Sequence, residues 1–159
     1  GIDLDTSLGY LLKEASSALR VAMEAVLKPL GMTVTHYSCL ELLAQRPGLS
    51  NSELARGTFV TRQSMNVLLQ ALERDGIVAR PAQATSGRIL PTELTAKGRR
   101  QLAAASAAVK GVEDRMTSPL SAEESAVLGE LLTRCRVALT ESPSGRLADP
   151  DLDFDAGVV

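Results

Sequence analysis

The sequence contains few of the residues on which many kinds of site depend. Aromatic residues make up only 3% of the 159 residues, Trp is absent, and there is one histidine. The two cysteines, Cys39 and Cys135, are too few and too far apart for a disulfide framework or a cysteine-rich metal site. We therefore predict that both are buried and unreactive, and that the protein uses neither a metal nor another cofactor.

Long apolar runs are also lacking. No stretch of about 18 apolar residues is present, so we predict no span through a membrane. The first residues, GIDLDTSLGY, lack the basic and apolar regions of a signal peptide, and we expect a cytoplasmic protein. Hydrophobic residues nevertheless make up 45% of the chain. Because Ala and Leu dominate among them, we predict a core of helices packed on helices.

Charge of the two signs is unevenly distributed along the chain, whose net charge is −2. Residues 51–100 carry eight basic and four acidic side chains, whereas residues 141–159 carry one basic and five acidic side chains. A basic middle segment favours a polyanionic partner such as DNA. The end of the chain, residues 142–159, is rich in Pro, Gly, Asp and Ser, and we predict a flexible acidic tail there.

The spacing of apolar residues predicts a mainly helical protein. Helices are predicted at about residues 7–28, 35–45, 51–57, 62–75, 96–117 and 122–140. Ser50 with Glu53, and Ser121 with Glu124, have the spacing of capping boxes. Residues 77–82 and 88–94 are predicted to pair as a β-hairpin, with Pro91 inside the second strand.

This order of elements predicts a fold of mainly α class with a small β-hairpin. Short helices followed by a hairpin indicate a winged helix-turn-helix, a DNA-binding lobe, at residues 32–95. Residues 1–30 and 96–141 are predicted to form a helical dimerisation region. The long outer helices have apolar faces with no sheet to cover them, so a second copy of the chain is the expected cover.

The predicted helix 62–75 has two chemically different faces. Its apolar side chains, Met65, Leu68, Leu69 and Leu72, fall within one third of the circumference. On the other side, Arg can bind the edge of guanine, and Asn or Gln can pair with adenine. Together with the residues around the start of the helix, the candidate DNA-binding residues are Thr61, Arg62, Gln63, Ser64, Asn66 and Gln70.

The segments PGLSNSELAR, LLQALERDGIVAR and LTAKGRRQL resemble the signature of MarR-type transcriptional regulators over about residues 32–102. The segment LSAEESAVLGELL resembles the last helix of that family. The resemblance implies a homodimeric regulator, most often a repressor, that binds a palindromic operator. It implies that residues 62–75 form the recognition helix, that residues 77–94 form the wing, and that Arg88 enters the minor groove.

Two residues depart from the family pattern. Ser86 stands where the family usually has an acidic residue that orients the wing arginine. Phe59 stands in the turn of the helix-turn-helix, where the family commonly has glycine. Because a side chain disfavours a positive φ, we predict a turn of different shape, with Phe59 packed into the core.

The resemblance also implies a small aromatic or amphipathic effector bound between the dimerisation helices and the DNA-binding lobe. Release of DNA would follow if the effector favours a spacing that the operator cannot match. The candidate effector-binding residues are Tyr10, Met23, His36, Tyr37 and Leu40. For His36, a helix cap or an ordinary surface position is the more common role of such a histidine.

Two other classes of function remain as alternatives. A winged-helix module could hold a protein partner or only dimerise, with Arg62, Asn66 and Arg88 as ordinary surface residues. Some methyltransferases also carry a winged-helix domain. This sequence, however, has no glycine-rich cofactor loop and no pairing of a nucleophile with a base, so we do not expect an enzyme.

Overall fold

A computed structural model describes residues 1–80 and 91–141, which form six α-helices and two short strands. The helices are α1 (Leu8–Leu27), α2 (Val34–Gln45), α3 (Asn51–Thr58), α4 (Arg62–Arg74), α5 (Ala96–Thr117) and α6 (Ala122–Thr140). A 3₁₀ turn, Lys28–Leu30, follows α1. The strands β1 (Val78–Ala79) and β2 (Glu93–Leu94) pair antiparallel, with Val78 opposite Leu94. The predicted fold class is confirmed.

Side-chain caps explain why the helices begin where the sequence predicts. The Ser50 Oγ accepts a hydrogen bond from the Glu53 N–H at 3.2 Å, and the Ser50 N–H donates to Glu53 Oε1 at 3.1 Å. Ser121 and Glu124 form the same reciprocal pair, at 3.1 and 2.9 Å. Both predicted capping boxes are therefore confirmed, and each provides partners for two N–H groups that the first turn leaves unpaired.

The core lies where α2, α3 and α4 meet α5 and the end of α1. Its fully buried side chains include Leu27, Leu40, Leu54, Met65 and Leu69. Four of these five residues come from the helices of residues 32–95, the predicted DNA-binding lobe. Such burial fixes the rotation of α4 about its own axis, and therefore determines which of its side chains face outward.

The two predicted strands are described only in part, at residues 77–80 and 91–94. Within residues 1–80 and 91–141, two residues of each strand pair, and Pro91 precedes β2 instead of lying inside it, so the predicted position of Pro91 was wrong. Proline has no N–H to donate, which explains why pairing starts beyond it. Residues 81–90 and the predicted tail at 142–159 lie outside the described residues.

The start of α5 is tied closely to the end of α4. Thr95 Oγ1 donates to the carbonyl oxygen of Gly76 at 2.6 Å, and Lys97 Nζ donates to that of Asp75 at 2.9 Å. Gly98 is buried so closely against Ile77 that an added Cβ would lie 2.2 Å from the Ile77 carbonyl oxygen. Glycine is therefore required for this approach, which couples α5 rigidly to the turn after α4.

The outer helices leave apolar faces uncovered within one chain. No residue of α6 is buried, and Leu27 is the one buried residue of α1. Exposed apolar side chains of these two helices include Leu8, Leu11, Leu12, Val21, Val127, Leu128, Leu131, Leu132 and Leu139. No helix in the described part of the chain is long and apolar enough to cross a membrane.

Candidate nucleic-acid interface

Helix α4 presents a mainly polar face to solvent. Met65, Leu69 and Leu72 anchor it in the core, and the side chains of Gln63 and Gln70 are exposed on its other side. Arg62 and Asn66, also exposed, flank this outward face. The amphipathic arrangement predicted from the sequence is thus present, and it leaves several hydrogen-bonding side chains accessible on one convex surface.

The first turn of α4 is held by two of the predicted site residues. Thr61 Oγ1 accepts from the Ser64 N–H at 3.1 Å and donates to Ser64 Oγ at 3.0 Å. The two hydroxyls are therefore engaged with each other and with the helix backbone. Their contribution is to fix the direction in which the N-terminus of α4 points.

Asn66 has a partner that the sequence did not reveal. The amide nitrogen of Asn51, at the start of α3, donates a hydrogen bond to Asn66 Oδ1. Because the two asparagines are 15 residues apart, helical periodicity gives no signal for this pair. The bond orients the Asn66 amide, joins the two helices at the exposed surface and adds Asn51 to the candidate interface.

Val67 was not predicted to belong to this face, because its side chain has no hydrogen-bonding group. Its side chain is 62% exposed. It lies one turn after Gln63 and one turn before Gln70, with Arg74 further along the same stripe. The outward face of α4 is therefore polar at most positions and apolar at its middle.

The structure contradicts both predictions for Phe59. Its backbone is left-handed, at φ 61° and ψ 39°, and its side chain is 81% exposed. The left-handed residue ends α3 and lets the Val60 N–H donate back to the Ala55 carbonyl oxygen at 3.0 Å. Val60 then packs against the core in place of Phe59. Phe59 is the one non-glycine residue with a positive φ in the described ranges.

The five predicted effector-binding residues occupy different environments. Tyr10 is exposed on α1, Met23 and Tyr37 pack partly buried against the core, and Leu40 is completely buried. His36 is half-buried near the start of α2. The cap of that helix is Thr33, whose Oγ1 accepts from the His36 N–H at 3.1 Å, so a capping role for His36 was wrong.

The imidazole of His36 lies at the contact between α2 and α5. Its Nε2 atom and the Oε1 atom of Gln101 are both buried, and neither has a hydrogen-bond partner among the described residues. Burial lowers the pKa of His36 below its ordinary value, and the neighbouring Gln101 and Asp75 only partly oppose this shift. The ring is therefore neutral near pH 7.

A cavity of about 430 Å³ opens between the C-terminal part of α2, strand β2 and α5. Leu43, Leu94 and Leu102 form apolar walls, and Arg99 and Ser106 add polar groups. None of the five predicted effector-binding residues lines this cavity. Its walls come from segments distant in sequence, so no local motif could have identified it.

A polar cluster borders this cavity at Ser106. Ser106 Oγ donates to Glu41 Oε2 at 2.8 Å. Partial burial favours the neutral form of Glu41, but hydrogen bonds from Gln45, Ser106 and Tyr37 outweigh it and lower the pKa of the carboxyl. Burial and Glu41 in turn raise the pKa of Tyr37. A carboxylate and a neutral phenol are thus fixed beside the cavity.

The two cysteines differ in accessibility. Cys39 is completely buried, its Sγ lies 3.9 Å from Met65 Sδ, and burial raises its pKa to about 12. Cys135 is exposed on α6, which contradicts the prediction that both are buried. The helical pattern placed Cys135 correctly on α6, but that helix buries nothing within its own chain. Across residues 1–80 and 91–141, no cluster of His, Cys, Asp or Glu could hold a metal ion.

Comparison with known proteins gives a consistent result. The sequence pattern described as the MarR family matches residues 30–89. The HTH-type transcriptional repressor Rv2887 of Mycobacterium tuberculosis is 46% identical over 124 residues, which cover 78% of this chain and 89% of that protein. The putative transcriptional regulatory protein for the hcr operon of Thauera aromatica is 30% identical to this chain over 138 residues. The match covers 86% of this chain and 83% of that protein.

Solved structures of transcriptional regulators also have the fold of this chain. The structure of Rv2887 with salicylic acid has a TM-score of 0.69 and 43% identity, and covers 82% of this chain and 96% of its own. The structure of Rv2887 with DNA matches with a TM-score of 0.68 and 40% sequence identity. The match covers 82% of this chain and 98% of the Rv2887 chain. The structure of the transcriptional repressor CouR bound to a 23-mer DNA duplex matches with a TM-score of 0.75 and 30% sequence identity. The match covers 84% of this chain and 94% of the CouR chain.

Proposed function

Because the chain belongs to the MarR family of transcriptional regulators, we propose that it is a homodimeric repressor that binds a palindromic DNA operator and releases it on binding a small aromatic acid. The observation that carries this proposal is the exposed face of α4, whose Gln63, Asn66 and Gln70 stand on a helix fixed by a buried core. We place its action in the cytoplasm, together with the DNA.

In this proposal α4 enters the major groove and reads base edges. Arg62 binds the O6 and N7 atoms of guanine, and Gln63, Asn66 and Gln70 pair with adenine. The hydroxyls of Thr61 and Ser64 hold the first turn of the helix at the phosphate backbone. The resemblance to the family adds Arg88 in the minor groove, although that residue lies outside the described part of the chain.

The dimer follows from the uncovered apolar faces of α1 and α6. Isolated exposed leucines are common, but Leu128, Leu131 and Leu132 lie together on a helix that buries none of its residues. Covering such a face with a second copy removes apolar surface from water. Two copies related by a two-fold axis present two α4 helices, which matches an inverted repeat with half-sites one helical turn apart.

We place the effector at the contact between α2 and α5. This region contains His36 and Tyr37 together with the cavity beside Arg99, whose guanidinium suits the carboxylate of an aromatic acid. Salicylic acid is the natural first ligand to test, since the related repressor Rv2887 has been crystallised with it. Hydrogen bonds from Thr95 and Lys97 to the end of α4 would carry a movement of α5 to the recognition helix.

Selection from a random duplex library tests the proposal directly. It is carried out at about 150 mM salt, where non-specific phosphate binding is weakened. Enrichment of an inverted repeat by a protein that is dimeric in light scattering supports the proposal, and salicylic acid should then release the selected duplex. If a folded dimer enriches no sequence, the alternative of a winged-helix interaction module without DNA binding is favoured instead.

Arg62→Ala tests the proposed reading of base edges. We expect it to weaken binding of the selected operator by about 1–3 kcal/mol and to relax the preference at one base pair. Arg74→Ala controls for the loss of one positive charge, because Arg74 lies on the same helix but in its last turn, and it should weaken binding of operator and random DNA equally. Equal losses for Arg62→Ala on operator and random DNA would show that Arg62 contacts phosphate and reads no base.

A further inference from the structure

Val67 is an exposed apolar side chain in the middle of a polar surface. It is 62% exposed, with Gln63 one turn before it and Gln70 one turn after it on the same stripe of α4. The core-facing residues of α4, Met65, Leu69 and Leu72, lie on the other side of the helix. Val67 therefore faces outward in the same direction as the residues proposed to read DNA.

Packing and helix stability do not explain a valine at this position. A β-branched side chain loses rotational freedom in a helix, and an exposed one gains little by burial. Val67 also lies in the DNA-binding lobe, away from the apolar faces of α1 and α6 that a second copy is proposed to cover. A partner in front of α4 would remove this apolar surface from water.

The major groove of B-DNA displays one apolar group, the C5-methyl of thymine. We propose that Val67 packs against this methyl group and so selects thymine over cytosine at one position of each half-site. The inference rests on the proposed function, because it requires α4 to lie in the major groove. It adds contact with a methyl group to the hydrogen-bonding contacts proposed for Arg62, Gln63, Asn66 and Gln70.

The neighbours of Val67 make the proposed contact chemically consistent. Side chains one helical turn apart have Cβ atoms about 5–6 Å apart. Successive bases of one strand are about 3.4 Å apart along the duplex axis. Val67 and either Gln63 or Gln70 thus reach the same base pair or adjacent ones. A glutamine that pairs with adenine and a valine that contacts thymine would both favour A·T pairs.

Uracil provides a specific probe of this contact, since it keeps every hydrogen-bonding group of thymine and lacks only the methyl. Each thymine of the selected operator is replaced in turn by deoxyuridine, and Kd is measured by fluorescence anisotropy for the native protein and for Val67→Ala. We expect one thymine in each half-site at which uracil weakens native binding about three- to fivefold, the factor for burying one methyl group. Val67→Ala should show no such loss there.

Cytosine and 5-methylcytosine at that position form a second arm of the test. The native protein should bind the methylated base more tightly, whereas Val67→Ala should bind both equally. Val67→Ile is the matched control, because it keeps a β-branched apolar side chain at the same position of α4. It should retain the native response to uracil. Circular dichroism confirms that each variant is folded, which is expected for a truncation at an exposed site.

Three results would overturn the proposal: native binding unaffected by uracil at every position, an unchanged uracil penalty in Val67→Ala, or a selected half-site with no A·T pair. Each of these results requires a protein that binds its operator. They are therefore distinct from failure of the proposed function, in which a folded dimer enriches no sequence at all.

Discussion

Replacing Phe59 with glycine and with alanine would measure the strain in the turn between α3 and α4. Both variants remove the ring, which is 81% exposed and therefore contributes little by burial. They differ in the backbone, because alanine keeps the Cβ that disfavours φ 61° and glycine does not. The comparison between the two variants isolates the strain from the loss of the side chain.

The expected difference follows from two opposing effects. A residue with a Cβ in the left-handed region costs about 1–2 kcal/mol, which glycine avoids. Glycine loses more conformational entropy on folding, at a cost of about 0.5–1 kcal/mol relative to alanine. We therefore expect Phe59→Gly to be more stable than Phe59→Ala by about 0.5–1 kcal/mol, the reverse of the order found at ordinary helical positions.

Urea unfolding followed by circular dichroism measures this difference, at one fixed protein concentration because a dimer's stability depends on it. Ala104→Gly in the exposed part of α5 gives the ordinary order within the same protein, with a loss of about 0.5–1 kcal/mol. If Phe59→Ala is as stable as Phe59→Gly, the turn is unstrained and the reasoning from its φ angle fails.

Three further outcomes are expected. Burial lowers the pKa of His36 in the folded protein, so the unfolded chain binds a proton first as pH falls through 6.5, and the stability of the folded protein declines. In urea unfolding between about pH 7.5 and 5.5, His36→Gln should therefore make stability less dependent on pH. Identical pH profiles for the two proteins would contradict this. A thiol reagent should reach Cys39 only after unfolding, since Cys39 is buried with its pKa raised to about 12; rapid labelling of Cys39 in the native protein would refute this. Gly98→Ala should lower the free energy of unfolding by about 1–3 kcal/mol, because the added Cβ would overlap the Ile77 carbonyl oxygen. Gly111→Ala is the control in the same helix: its Cβ would meet no atom within 4 Å, so stability should be unchanged or raised.

Much of the fold is predictable from the sequence because the signals are local. Helix starts depend on residues three apart, as in Ser50 with Glu53, and the apolar stripe of α4 depends on its own spacing. The pairing of two strands was also predictable, whereas the position of Pro91 outside β2 was not. The apolar pattern predicts which residues favour a strand, but it does not show that the strand begins only after Pro91, which has no N–H to donate to the ladder.

The candidate site was predictable only in part. The exposed polar residues of α4 follow from periodicity, whereas the Asn51–Asn66 bond and the cavity at Arg99 join segments that only the tertiary fold brings together. Phe59 was misjudged because its hydrophobicity favoured burial, while the turn that ends α3 directs its side chain outward. Here the geometry of the connection outweighs the preference of the residue.

The absence of buried residues in α6 has a consequence for how the protein would respond to its own abundance. All members of the main core cluster come from α1 to α5 and the segments between them, so α6 adds nothing to the core of a single chain. In the proposed dimer, α6 is stabilised only when a second chain covers it, and folding of the helix and pairing of chains become one equilibrium. At low abundance, the concentration of dimers rises with the square of the total concentration of the chain. Operator occupancy would then switch on over a narrow range of synthesis rates, with no effector involved.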